Sequence, residues 1–98
     1  MTRDEVIERV RPHAGSLRED GIAGLWLFGS AARNTAGPDS DVDFLCDLDL
    51  SRGMDLIDFI NVKLRLGDIV GARTDLVERS RLRPRIRASA ESDMVRIF

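Results

Sequence analysis

The segment Asp41–Leu48, DVDFLCDL, alternates strictly in polarity. Val42, Phe44, Cys46 and Leu48 fall on one side, and Asp41, Asp43, Leu45 and Asp47 fall on the other. Successive side chains of an extended chain point to opposite faces, so this pattern predicts a half-buried strand. One of its faces is wholly apolar and needs a covering layer from elsewhere in the chain. The other face begins with two carboxylates at i and i+2, whose Cα atoms lie about 6–7 Å apart and whose side chains project together.

The remaining sequence supplies that layer. With 98 residues, 43% of them hydrophobic and 33% charged, the chain fits one domain spanning residues 1–98 with one modest core. Thr2 followed by Asp4 and Glu5 marks a helix start, and Val6, Ile7, Val10, Ala14 and Leu17 recur at helical spacing. Pro12 predicts a kink or two short helices, ended by Gly21. Ala23–Phe28 reads as a buried strand between glycines, Ser30–Asn34 as one or two helical turns, and Thr35–Ser40 as a loop. After a turn over Asp49–Gly53, Met54–Leu66 is the clearest helix. Leu56, Ile57, Ile60 and Leu64 form its apolar stripe, and Gly67 is its expected C-cap. Arg73–Val77 reads as a third strand. Pro84 opens a last helix with Ile86 and Ala90 facing inward, and Met94–Phe98 is a terminal strand or a loose end. The order predicts an α/β (α+β) domain: a small sheet covered by helices.

Charge and composition exclude several functions. Fifteen basic residues oppose seventeen acidic ones, a net charge of −2 that does not favour direct nucleic-acid binding. All the basic residues but Lys63 are arginines, and those from Arg79 to Arg87 read as a solvated face. His13, the only histidine, reads as a surface or helix-packing residue and Trp26 as core. Asp47 and Asp49 read as solvated, and Asp55 and Asp58 as the polar face of their helix. The single cysteine, Cys46, cannot form an internal disulfide and reads as a buried small hydrophobe. The charged N-terminus is unlike a secretory signal, and no apolar run approaches the ~20 residues of a membrane span. A cytoplasmic protein without a membrane partner is the expectation.

The carboxylate pair carries the chemistry. Asp41 and Asp43 would repel one another if bare, and a divalent cation would relieve that repulsion. Mg²⁺ takes oxygen ligands, uses one or two carboxylates, and fills its other positions with water and phosphate oxygens. Upstream, Gly29-Ser30 follows a strand where a helix starts, a place suited to phosphate. Arg33, one turn later, could reach the same phosphates. Each motif alone is common; the two in this order, with a turn-rich loop between, are more specific. A chain this short has little material for an enclosed pocket, so a partner or second copy is expected to complete the site.

Gly29-Ser30, ten residues, then Asp41-Val42-Asp43 resembles the G-S-x10-D-x-D signature of the polymerase-beta-like nucleotidyltransferases. Within that superfamily the chain resembles the minimal nucleotidyltransferases, many of which are antitoxins paired with a HEPN-domain ribonuclease toxin. LWLFGSAAR, PDSDVDFLCDLD, the MDLIDFINVKLRLG helix, TDLV and the LRPRIRASA tail extend the likeness over nearly the whole chain. It departs from the family pattern at Asn34, where a glycine commonly follows the arginine; asparagine tolerates left-handed backbone. The resemblance implies the nucleotidyltransferase fold, a small mixed sheet flanked by helices, and a third acidic residue on a later strand, here Asp75. It implies Mg²⁺ held by Asp41, Asp43 and Asp75, with Asp75 also helping to deprotonate a hydroxyl, and ATP as co-substrate with its phosphates at Gly29, Ser30 and Arg33. The implied partner is a HEPN-type toxin, AMP-modified on a tyrosine hydroxyl. Neutralisation by binding alone and transfer to a small molecule are the alternatives.

Overall fold

Two strands meet where the apolar patterning is strongest. The computed structural model describes residues 1–37 and 40–98, so Pro38 and Asp39 of the predicted Thr35–Ser40 loop lie outside the described residues. Strand β1 (Ile22–Phe28) pairs antiparallel with β2 (Val42–Leu48). Strand β3 (Thr74–Glu78) pairs parallel with the other edge of β2, and the short β4 (Val95–Arg96) pairs antiparallel with β1. The order β3-β2-β1-β4 makes a mixed four-stranded sheet. The chain end therefore forms a strand, and Ile97 and Phe98 beyond it are buried.

One sheet face carries the core. Ile22, Leu25, Leu27, Val42, Phe44, Cys46 and Leu76 point into it. A register shift between Ile22 and Gly24 keeps Ile22 on the same side as Leu25. Helices α1 (Arg3–Val10) and α2 (Ala14–Asp20) cover this face with Val6, Val10 and Leu17. Pro12 lies in the 3₁₀ turn Arg11–His13 that separates them, as its missing N–H and fixed φ require. The Thr2 hydroxyl caps α1 by accepting the Glu5 N–H at 3.2 Å. Cys46 is fully buried, and burial, reinforced by nearby Glu78 and Asp47, pushes its thiol up to about 12. It is a small hydrophobe, not a nucleophile.

Helix α4 (Leu56–Val70) corrects the expectation most sharply. It runs past Gly67 to Gly71, whose φ of +72° suits the left-handed C-cap and whose N–H donates to the Gly67 carbonyl at 2.8 Å. Its buried face is Val62, Leu66 and Val70. The stripe Leu56, Ile57, Ile60 and Leu64 faces away from the core. The sequence between Leu56 and Val70 holds two apolar stripes roughly opposite each other, and the more C-terminal one packs. Asp55 and Asp58 form a capping box at the N-terminus of α4, a more specific role than general polarity.

The second sheet face is held largely by charge. The Arg79 guanidinium makes two hydrogen bonds to the Asp47 carboxylate, at 2.8 and 3.1 Å, and lies over the Trp26 ring at 4.5 Å. Trp26 is 7% exposed and lies across Gly24, where an added Cβ would come within 2.9 Å of the indole. Asp47 is thus a half-buried ion-pair partner, not a solvated loop residue, and Arg79 stands apart from the solvated arginines after it. The short helix α3 (Gly29–Ala32) follows β1. Helix α5 (Pro84–Asp93) joins this face through Glu91, paired with Arg87 at 2.8 Å and with Arg79 at 3.8 Å. Ile86 is exposed and Ala90 only half-buried, because α5 is tethered by ion pairs and buries no apolar stripe.

Replacing Arg79 with Ala leaves the Asp47 carboxylate unpaired and removes one of the two guanidinium groups over Trp26, leaving Arg96. It is expected to destabilise the fold by about 1–2 kcal/mol in urea unfolding, whereas Arg85→Ala, on the solvated run, stays within about 0.5 kcal/mol.

Candidate active site

The parallel pairing of β2 and β3 sets Asp43 opposite Asp75, and the antiparallel pairing of β1 and β2 sets Asp43 opposite Phe28. Residues paired across strands share a face. Asp43 therefore stands between the third carboxylate on one side and the end of β1 on the other. Asp41, two residues earlier, precedes the first residue of β2. Asp43 and Asp75 thus lie on neighbouring strands, with Asp41 immediately before β2.

Gly29 comes next after Phe28, with φ of +74°. A Cβ built on it would lie 2.8 Å from Asp43 Oδ2, inside any tolerable contact distance. Two constraints select glycine here: the left-handed backbone and the carboxylate resting against it. The contact ties the Gly29-Ser30 motif directly to the acidic pair across ten residues of sequence. Ser30 is half-buried in α3, whose first amides lack intrahelical partners, as at every helix start. Asn34 adopts φ of 61°, the one positive value outside glycine among the described residues. It fills the left-handed position where the related pattern has glycine, and its side-chain oxygen accepts the Arg3 N–H at 3.1 Å. Arg33 is exposed and pairs with Asp93 of α5 at 3.3 Å.

Asp43 feels the charge of both other acids. The Asp43 carboxyl is held above its ordinary value, first by burial and then by the charges of Asp75 and Asp41. Each flanking acid has a basic neighbour. Asp41 pairs with Arg73 at 3.2 Å and Asp75 with Lys63 of α4 at 3.8 Å. Arg73 could have been suspected from its place two residues before Asp75; Lys63 becomes visible only once α4 packs beside β3. Turned toward these partners, no three His, Cys, Asp or Glu side chains among the described residues are gathered tightly enough to hold an ion. The donor set is nevertheless all oxygen, the centre of it is destabilised as an anion, and both flanking carboxylates are about half exposed on rotatable side chains. These properties fit a hard divalent cation. A hollow of about 710 Å³ opens beside Asp41, bounded by Lys63, Leu64, Gly67 and Asp68 of α4 and by Arg73 and Thr74.

Two outcomes follow. The raised Asp43 value means that folding disfavours its ionised form: the proton-linked stability is present below the ordinary 3.8 and is lost as pH rises through the folded value. Asp43→Asn should therefore raise the melting temperature at pH 7 in metal-free buffer, and the gain should vanish by about pH 3. Gly29→Ala is expected to cost about 1–3 kcal/mol, and the cost should shrink in an Asp43→Ala background, where the clashing carboxylate is gone. Thermal melts of the four proteins complete that cycle.

Residues 7–97 match the family described as the nucleotidyltransferase domain. Protein adenylyltransferase MntA of Thermococcus cleftensis is 33% identical over 96 residues, covering 97% of this chain and 95% of the relative. A Methanocaldococcus jannaschii protein assigned as a protein adenylyltransferase is 30% identical over 98 residues, covering 98% of each. A solved structure assigned as a minimal nucleotidyltransferase superposes with a TM-score of 0.82 at 29% identity, covering 97% of this chain and 95% of that one. A toxin–antitoxin structure with AMP-PNP superposes with a TM-score of 0.70 over all of this chain and 73% of that one, and its 16% identity speaks for the fold alone. Sequence, fold and the order of the site motifs agree: the chain belongs to the nucleotidyltransferase domain family and is a nucleotidyltransferase of the minimal kind.

Proposed function

We propose that this chain transfers AMP from ATP to a tyrosine hydroxyl of a HEPN-type ribonuclease toxin, acting as its antitoxin. The observation that carries the reading is the contact of the Asp43 carboxylate with Gly29, in a strand register that also sets Asp43 against Asp75. It joins a phosphate-suited turn to an acidic centre. A purely binding protein has no need for a destabilised carboxylate packed on a left-handed glycine. The relatives named as protein adenylyltransferases support the protein acceptor and the nucleotide.

In this reading Asp41, Asp43 and Asp75 would hold Mg²⁺, which when bound neutralises triphosphate charge and makes the α-phosphorus more electrophilic. The backbone at Gly29-Ser30 and the Ser30 hydroxyl hold the terminal phosphates, because glycine allows close approach and the α3 amides are unpaired donors. Arg33 can join them by exchanging its exposed Asp93 pair for a phosphate. The acceptor oxygen attacks the α-phosphorus, the bond to the bridging oxygen of the β-phosphate breaks, and pyrophosphate departs. The proton of the attacking hydroxyl passes to the Asp75 carboxylate. Arg73 and Lys63 hold the flanking acids until nucleotide arrives, which limits repulsion in the empty site.

The test uses α-labelled ATP, Mg²⁺ and the purified neighbouring-gene product. Wild-type protein should place label on that partner, and Asp41→Asn/Asp43→Asn should lower the rate at least 100-fold (about 2.7 kcal/mol). If no label appears and the double variant protects cells from the toxin as well as wild type, the protein neutralises by binding and the catalytic reading is wrong.

A further inference from the structure

Four large aliphatic side chains of α4 face outward along one stripe. Leu56 is 73% exposed, Ile57 69%, Ile60 44% and Leu64 60%. At 3.6 residues per turn they fall on one side of the helix, away from Val62, Leu66 and Val70 in the core. Together they expose on the order of 400 Å² of apolar surface, which is large for a chain of this size and close to the apolar share of one side of a standard interface, about 800 Å². The stripe runs along the helix toward the candidate active site. At its start, Leu56 borders a groove of about 370 Å³ with Leu48, Met54, Phe59, Leu76 and Val77. At its end, Leu64 and Gly67 line the hollow beside Asp41.

Charge decides what covers it. Acids stand at both ends of the helix: Asp55 and Asp58 cap its start, and Asp68, exposed and without an ion pair among the described residues, lies near its end, where the exposed Arg73 is engaged by Asp41. The two bases of α4 are already engaged, Lys63 with Asp75 and Arg65 with Asp20. A second copy packed on the same stripe would set acid against acid, antiparallel or parallel, beside a centre that is already acidic. A partner helix with an apolar stripe flanked by Lys or Arg would match both features.

We propose that the outer face of α4 is the docking surface for the acceptor protein, which lays an apolar, basic-flanked helix along Leu56, Ile57, Ile60 and Leu64. Resting on the adenylyl-transfer reading above, this places the acceptor beside the carboxylates and gives the exposed stripe of α4 a cover. The acceptor supplies the wall that the hollow beside Asp41 lacks.

The experiment separates docking from chemistry. Ile57→Lys/Ile60→Lys changes exposed residues outside the carboxylate centre, so melting temperature and Mg²⁺-dependent binding of a fluorescent ATP analogue should match wild type. Its affinity for the purified neighbouring-gene product, by calorimetry, should fall at least 30-fold, and Asp68→Lys alone should weaken it about threefold. Asp41→Asn/Asp43→Asn should bind that product normally and fail to label it. Equal affinity of Ile57→Lys/Ile60→Lys and wild type, or no binding by wild type, overturns the docking proposal. Sedimentation of the chain alone as a dimer that the Lys variant abolishes also overturns it, in favour of a second copy. Stripe-dependent binding without label on wild type leaves the docking surface standing and sinks the chemistry.

Discussion

The carboxylate of Asp43 rests against the backbone of Gly29, and much of the site geometry depends on that contact. It requires β1 to end in register with the start of β2, so that Phe28 faces Asp43. It requires a left-handed residue without a side chain at the strand-to-helix turn. It also half-buries a charge between two other acids, which costs stability in the empty protein and shows as the raised Asp43 value. Such a cost persists only where the surrounding framework over-determines it. Here the framework is a central strand paired on both edges and packed on its other face by Phe44 and Cys46.

Those two residues also account for what could be read in advance. The alternation of Val42, Phe44, Cys46 and Leu48 with Asp41, Asp43 and Asp47 has one physical solution, so the strand, its buried face and the direction of its acids were legible. Asp75 was found through resemblance, and its register with Asp43 needed a parallel pairing that short-range pattern cannot specify. Cys46 and Trp26 were read as buried on composition and neighbours alone, and both are. Arg79 and Asp47 were not separable from the solvated charges around them, because their pairing joins positions 32 residues apart and depends on Trp26 offering its ring to Arg79. Ile86 misled for a related reason: a helix held by Glu91 does not need its one isoleucine inside.

Helix α4 shows the limit of periodicity most clearly. Leu56, Ile57, Ile60 and Leu64 match a helical stripe as well as Val62, Leu66 and Val70 do. Periodicity reports that a stripe exists, not which stripe the fold covers. The choice is made by length: continuing the helix to Val70 places three residues at i, i+4 and i+8 over the sheet, and Gly71 can then close it with a left-handed turn. A cap at Gly67 would have ended the helix before Val70 could pack.

The stripe that remains outside has its own physical logic. Burying it would require another layer, which none of the described elements supplies. Leaving about 400 Å² of aliphatic surface in water invites self-association unless charge opposes it. In the docking proposal Asp55, Asp58 and Asp68 would supply that opposition against a second copy while favouring a basic partner. In the docking proposal that acidity would favour a basic partner on the side of the helix from which Lys63 reaches Asp75. A partner seated on α4 would lie against the helix that holds this lysine. Docking on α4 would thereby bear directly on the Lys63–Asp75 pair.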